Sequence, residues 1–175
     1  MTARLAQLEA LTALWSVARH SAALAELVAT LDDDVMAGVV AALLDHKEAV
    51  RHAAALLVRD LSKRTLQLSQ LAVDAGAGSA LAQLLKDTPG PCRLHAAVAL
   101  GYIAAHSPVL ALAVIAAQVV EGLVAVLRED DDEAVLEAAA WTLGQLGRHS
   151  AKHVEEIAGQ HVLTTLAEVR PGTKD

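Results

Sequence analysis

The stretch Trp141-Thr-Leu-Gly-Gln-Leu-Gly-Arg-His-Ser150 decides how the rest of the chain is read, because degraded copies of it stand three times upstream. Leu100-Gly-Tyr-Ile-Ala-Ala-His-Ser107 matches it in register, as does Leu14-Trp-Ser-Val-Ala-Arg-His-Ser21. Val58-Arg-Asp-Leu-Ser-Lys-Arg-Thr65 matches more loosely. Between the closing Ser or Thr of successive copies the intervals are 44, 42 and 43 residues. One aligned column reads Leu14, Val58, Leu100, Leu143, and the column three residues on reads Val17, Leu61, Ile103, Leu146. Residues three apart share a helix face, so each copy carries an apolar stripe that neighbouring copies can cover.

That period belongs to helical solenoids of the armadillo and HEAT type, and these eight residues are expected to be buried between units. Gly144 and Gly147 would each cost about 1 kcal/mol relative to alanine in a helix, so they are read as admitting a close neighbouring helix. Composition agrees with an all-α chain. Of its 175 residues 54% are apolar, with Phe absent and aromatics at 2%, whereas strands favour β-branched and aromatic residues.

The net charge of -7 and pI near 5.5 argue against a sequence-independent grip on nucleic acid or anionic lipid, which needs clustered Lys and Arg, and favour basic partners. Cys92 is the only cysteine, so no intrachain disulfide framework exists, and it is read as a small half-buried residue. Arg4 is followed by an amphipathic pattern rather than by an apolar signal core, so Met1 is read as the mature start. Residues 96–120 lack Lys, Arg, Asp and Glu and are long enough to count as a candidate membrane span. His106-Ser107-Pro108 interrupts them where the repeat demands a break, so they are read as core.

The first helix is expected over 3–20, with Thr2 as N-cap and Leu5, Leu8, Leu11, Leu14 and Val17 on one buried face, and a short helix over 22–30. The recurring Ser21, Thr65, Ser107 and Ser150 fit N-caps, and Pro108 suits a first helical position. A third helix follows each short one. Leu81-Ala-Gln-Leu-Leu85, Leu123-Val-Ala-Val-Leu127 and Leu166-Ala-Glu-Val169 keep equal offsets, whereas Val40-Ala-Ala-Leu-Leu44 is displaced by three residues. That is the length of Asp32-Asp33-Asp34, which is therefore a loop. Further loops are expected over 45–48, 87–91 and 129–133. The fold expected is an all-α, right-handed armadillo-type solenoid of about four three-helix repeats. It forms a single domain over 1–170, with signatures ending at 21, 65, 107 and 150 and a disordered tail over 171–175.

Gly101-Tyr-Ile-Ala-Ala-His-Ser107, Ala113-Val-Ile115, Ala140-Trp-Thr-Leu-Gly-Gln-Leu-Gly-Arg-His149 and Leu66-Gln-Leu-Ser-Gln-Leu71 with Asp74-Ala-Gly76 resemble the later repeats of the sperm-associated antigen six family, armadillo proteins of the axonemal central apparatus. The resemblance covers nearly the whole chain, although Asp-Ala-Gly before the third helix survives only in the second copy. It implies a non-catalytic structural component of the central pair of a cilium or flagellum, needed for motility. The implied location is cytoplasm, cytoskeleton and axoneme, with other axonemal proteins as partners and tubulin contacted at most indirectly. The alternative is a general cytosolic armadillo adaptor that binds peptides.

No chemistry competes with that reading. His149, His153 and His161 lie near Glu155 and Glu156, but Ser150 breaks the helix between the first two, and no ligand set has zinc spacing. His20, His106 and His149 share a repeat position and are read as local helix C-terminal side chains near free carbonyls. Ser107 lacks a nucleophile elbow, and Gly76-Ala-Gly78 is no phosphate loop. No catalytic, metal or cofactor site is expected. A partner surface is expected on the third helices, taken as the concave lining, at Ser79, Gln83, Lys86, Glu121, Arg128, Thr164 and Glu168. The absence of Asn argues against the asparagine ladders that hold nuclear localisation signals. Apolar residues at both ends, Leu5, Leu8 and Leu11 against Val162, Leu163 and Leu166, point to a homodimer through exposed solenoid ends.

Overall fold

The computed structural model describes residues 2–32, 34–87, 90–158 and 162–168, with side chains from residue 6 onward. These form α-helices, and no strand occurs among the described residues. The helices fall into three rows. The long row is α1 (Thr2–Ala18), α4 (Glu48–Ser62), α7 (Pro91–His106) and α10 (Glu133–Gly147). The short row is α2 (Ala22–Ala29), α5 (Leu66–Asp74), α8 (Pro108–Ala116) and α11 (Ala151–Ala158). The third row is α3 (Val35–Ala42), α6 (Ala77–Asp87), α9 (Val119–Glu129) and α12 (Val162–Glu168). This is the armadillo-type solenoid that the period predicts. Asp32 and Asp34 lie between α2 and α3, while residues 161 and 169–175 fall outside the described residues.

The breaks between long and short helices are fixed by hydroxyls. Ser21, Thr65 and Ser107 accept from the amides of Leu24, Leu68 and Leu110 at 3.1, 3.2 and 3.1 Å, which satisfies one free N–H at each helix start. Between short and third helices the chain turns through positive φ at one register, 89° at Gly76 and 59° at Gln118. A glycine carries no Cβ penalty in that conformation. Gly76 therefore turns without strain, whereas Gln118 takes the same conformation with a side chain, and α8 and α9 meet there at 73°. No single helix among the described residues is long and apolar enough to cross a membrane.

Stacking buries Val58, Leu61, Leu100, Ile103, Leu143 and Leu146 to 1% exposure or less. The first copy departs from its column. Leu14 is half-buried and Val17 is 42% exposed, while Leu11 and Ala18 are the buried positions of α1. Helices α4, α7 and α10 each pack on the preceding third helix, α3, α6 or α9, as well as on one another, whereas α1 packs along α2 and α4. α1 also includes Thr2, which is therefore not its N-cap, and ends two residues early. Arg19 N–H still reaches Trp15 O, but His20 N–H turns back to Val17 O. Leu5 lies outside the described side chains. Cys92 is fully buried rather than half-buried, its thiol facing Glu48 O at 3.9 Å. Burial pushes that thiol's pKa up, with Arg51 opposing and Glu48 reinforcing the shift, so the unreactive protonated form dominates.

Polar ties join successive units. Arg64 donates to Ala18 O and Arg19 O, His106 Nε2 donates to Ser62 O at 2.7 Å, and His149 Nε2 donates to Ala104 O at 2.7 Å. One register thus caps the long helix of the preceding unit. The sequence placed this capping within each histidine's own helix, and the structure corrects that. His20, at the same register, is exposed. Thr142 Oγ1 donates to Ala97 O at 2.8 Å inside the α7–α10 interface. Arg93 of α7 pairs with Asp130, the residue that closes α9. Burial would raise the Asp130 carboxyl, but hydrogen bonds from the Asp132 amide and the Arg93 guanidinium outweigh it and hold it below the usual range. Of the two glycines expected to admit a close helix, one does and one does not. Gly147 approaches Ile157 and Val154 of α11, but Gly144 is exposed, with nothing near its Cβ position. The close approach falls instead at Gly101, covered by Trp141 and Thr142.

Candidate partner-binding surface

The seven third-helix residues divide as their offsets require, Ser79, Gln83 and Lys86 on α6, Glu121 and Arg128 on α9, Thr164 and Glu168 on α12, and all are exposed. Arg128 Nε donates to Thr165 Oγ1 at 3.2 Å, which ties α9 to α12. A shallow depression on α9 is lined by Glu121, Val124, Ala125, Arg128 and Glu129. In the first unit the equivalent positions are Gly38, exposed, Ala42, buried, and Asp45, half-buried beyond the end of α3.

The long row is shaped differently. Its helices pack closely along one another, and grooves open between them. One groove, of about 330 Å³, is lined by Leu94, Val98 and Tyr102 of α7 and by Ala134, Glu137, Ala138 and Trp141 of α10. A second, of about 210 Å³, is lined by Leu8, Thr12 and Trp15 of α1 and by Ala49, His52, Ala53 and Leu56 of α4. Leu56, Val98 and Trp141 occupy one repeat register and are each half-buried, so the fold repeats an apolar step along this face. Tyr102 and Trp141 meet edge to face, with ring centroids 5.2 Å apart and an interplanar angle of 73°, a favoured aromatic geometry.

Between the two grooves, the α4–α7 joint is bridged by polar groups. Trp15 Nε1 donates to Asp60 Oδ2 at 2.8 Å, Arg59 pairs with Asp60 at 2.8 Å, and Arg59 Nη1 donates to His95 Nδ1 at 3.1 Å. His95 stacks on His52 at 5.1 Å. With Nδ1 accepting, the neutral ring carries its proton on Nε2. Burial above all, then the charges of Arg59 and His52, lowers the His95 pKa to about 4, against a raising effect of Asp60. An unfolded histidine titrates near 6.5. Between those values the unfolded chain binds a proton that the folded chain refuses, so stability falls as pH drops from about 6.5 to 4. The urea midpoint should therefore decline between pH 7 and pH 5 by less in His95→Gln than in the wild type. Equal declines would show that His95 does not titrate in this way.

Sequence reading missed this surface because Trp15, Arg59, Gly101 and Gly144 form one column that looks like spacing, and Trp15 and His95 reach the Arg59–Asp60 pair only across units. The histidines near the C-terminal end are engaged. His149 donates to Ala104 O, and His153 Nε2 donates to Pro108 O at 3.0 Å while its Nδ1 meets Ser150 Oγ at 2.7 Å. His161 lies outside the described residues. Among those described, no three His, Cys, Asp or Glu side chains converge as metal ligands.

Known proteins agree with this geometry. A designed armadillo repeat protein in complex with the peptide (KR)4 is similar over 95% of this chain and 69% of its own, at 21% identity and TM-score 0.87. A second armadillo protein, computationally designed for modular peptide recognition, gives the same values. An engineered protein is 26% identical with TM-score 0.86, over 93% of this chain and 66% of its own. Among curated proteins, none is similar enough to count as a match. The HEAT repeats family matches residues 78–168, just over half of the chain. The chain therefore belongs to the HEAT repeats family, with its units in the three-helix armadillo form.

Proposed function

We propose that this chain is a non-catalytic protein-interaction scaffold and that extended segments of partner proteins lie across its long helices. The observation that carries this is the pair of apolar, aromatic-lined grooves opening between α1 and α4 and between α7 and α10. Concave sites with a few convergent polar groups are the usual place for ligands, and stacked repeats present such surfaces in series. The exposed third-helix set, Ser79, Gln83, Lys86, Glu121, Arg128, Thr164 and Glu168, is the alternative surface. Peptides selected on the purified chain from a random library separate the two. Tyr102→Ala should weaken the selected peptides by about tenfold, the scale of one lost aromatic contact, while Gln83→Ala leaves them unchanged. The reverse pattern would move the site to the third row.

Within that scaffold role we place the chain in the axonemal central apparatus, supported by the Trp141–His149 string and its upstream copies. Detergent-resistant retention of the tagged protein in flagella would agree, and a wholly diffuse cytosolic signal would favour the general adaptor. Self-association belongs to the same proposal. Of the end residues that the sequence offers for it, Leu11 and Val162 are buried and Leu8 and Leu166 half-buried. The exposed apolar surface is instead Leu163, 62% exposed, at one end and Val17, Leu27 and Leu31, 42%, 54% and 57% exposed, at the α1–α3 end. Light scattering that stays monomeric across the micromolar range would reject self-association.

A further inference from the structure

We propose, building on the groove reading above, that the long-helix row selects an acidic partner segment with apolar residues interleaved, despite the chain's net charge of -7. One repeat register at the C-terminal ends of the long helices reads Arg19, Lys63, Ala105, Arg148, and all three basic residues are exposed. Basic side chains at helix C-termini commonly satisfy terminal carbonyls. Here the next register does so for α1, α4 and α7, through Arg64, His106 and His149. The ion pairs among the described residues engage Asp45, Asp60 and Asp130, and none engages Arg19, Lys63 or Arg148. Arg148 donates instead to Gln145 Oε1 at 2.8 Å.

These charges adjoin the grooves. The Arg19 guanidinium sits 5.0 Å from the Trp15 ring centroid, and Lys63 Nζ sits 5.8 Å from that of Tyr102. Trp15 lines one groove and Tyr102 the other. Cationic edge and apolar floor are therefore continuous. Among the groove-lining residues and the groups bonded to them, the carboxylates are Asp60, paired with Arg59 and accepting from the Trp15 indole, and Glu137 of α10. Most other acidic residues of the long helices and their loops, including Glu48 and residues 129–133, stand at the N-terminal ends. A charge on the partner is thus attracted at one edge of the row and repelled at the other, which fixes where it lies. Packed helices are about 8–10 Å apart and an extended chain rises about 3.3 Å per residue, so the partner advances roughly three residues per unit.

The probe that follows is a fluorescein-labelled peptide of four Asp-Asp-Leu repeats, compared by anisotropy with Lys-Lys-Leu and Ser-Ser-Leu versions at physiological salt. Screening there confines long-range repulsion by the protein's net charge to about 8 Å. The acidic peptide should bind most tightly and weaken as salt rises. Lys63→Glu with Arg148→Glu, both at exposed positions, should weaken it by about tenfold or more and leave the melting temperature unchanged. Tighter binding of the Lys-Lys-Leu peptide, indifference to the double charge reversal, or tighter binding of labelled oligothymidylate would each overturn the inference while leaving a binding groove in place. Failure of all three peptides to bind would overturn the groove reading as well.

Discussion

Leu100→Asp should lower the thermal midpoint by at least about 10 °C or remove the cooperative transition. Leu100 has no exposed surface and lies in α7, the helix packed against α4, α6, α8 and α10. Shortening a buried leucine costs about 2–5 kcal/mol, and an unpaired carboxylate in apolar surroundings adds to that. The total, at least about 4 kcal/mol, is a large share of the 5–15 kcal/mol that typically holds a domain folded. In a chain of this length each kcal/mol shifts the midpoint by about 2–4 °C. Val17→Asp supplies the contrast. Both residues belong to the repeat's apolar columns, but Val17 is 42% exposed, and its substitution should stay within about 0.5 kcal/mol. Far-UV circular dichroism melts of the two variants check this, and an unchanged midpoint for Leu100→Asp would show the repeat alignment to be wrong.

The fold was legible because its signals are local or periodic. The spacing of Ser21, Thr65, Ser107 and Ser150 locates every long-to-short break, and all four hydroxyls accept from the amide three residues on, Ser150 at a longer 3.5 Å, as the register requires. The apolar columns predict six of eight buried positions. Leu14 and Val17 fail because burial depends on what lies across the interface, and α1 packs along α2 and α4 whereas α4, α7 and α10 also pack on α3, α6 and α9. The histidine register was legible as capping but not as capping of the neighbour, since a bond from His106 to Ser62 spans 44 residues and rests on how two units slide together. For the same reason the long-row grooves were hidden. Trp15, Asp60, Arg59 and His95 are unremarkable singly, and they form one polar bridge only after α1, α4 and α7 stack.

Gly101 and Gly144 test that stacking from a single register. A Cβ at Gly101 would lie 2.6 Å from Trp141 Cε3 and 2.8 Å from Thr142 Oγ1. Neither neighbour yields cheaply, because the indole is wedged edge-on against Tyr102 and the threonine hydroxyl is bonded to Ala97 O. Relief means lifting α10 off α7. Overpacking of this kind costs about 1–3 kcal/mol, so Gly101→Val should destabilise by up to about 3 kcal/mol, and Gly101→Ala by up to about 2 kcal/mol after the gain of about 1 kcal/mol that alanine brings to a helix interior. Gly144 has nothing within 4 Å of its Cβ position, so only the helix-propensity gain applies there.

The most direct measurement is therefore urea unfolding of Gly101→Ala and Gly144→Ala beside the wild type. The stacked arrangement predicts opposite signs, a midpoint lowered for Gly101→Ala and raised, by up to about 1 kcal/mol in stability, for Gly144→Ala. If both substitutions stabilise the chain equally, α10 does not pack on α7 through Trp141, and the interlocked solenoid and its grooves are contradicted together.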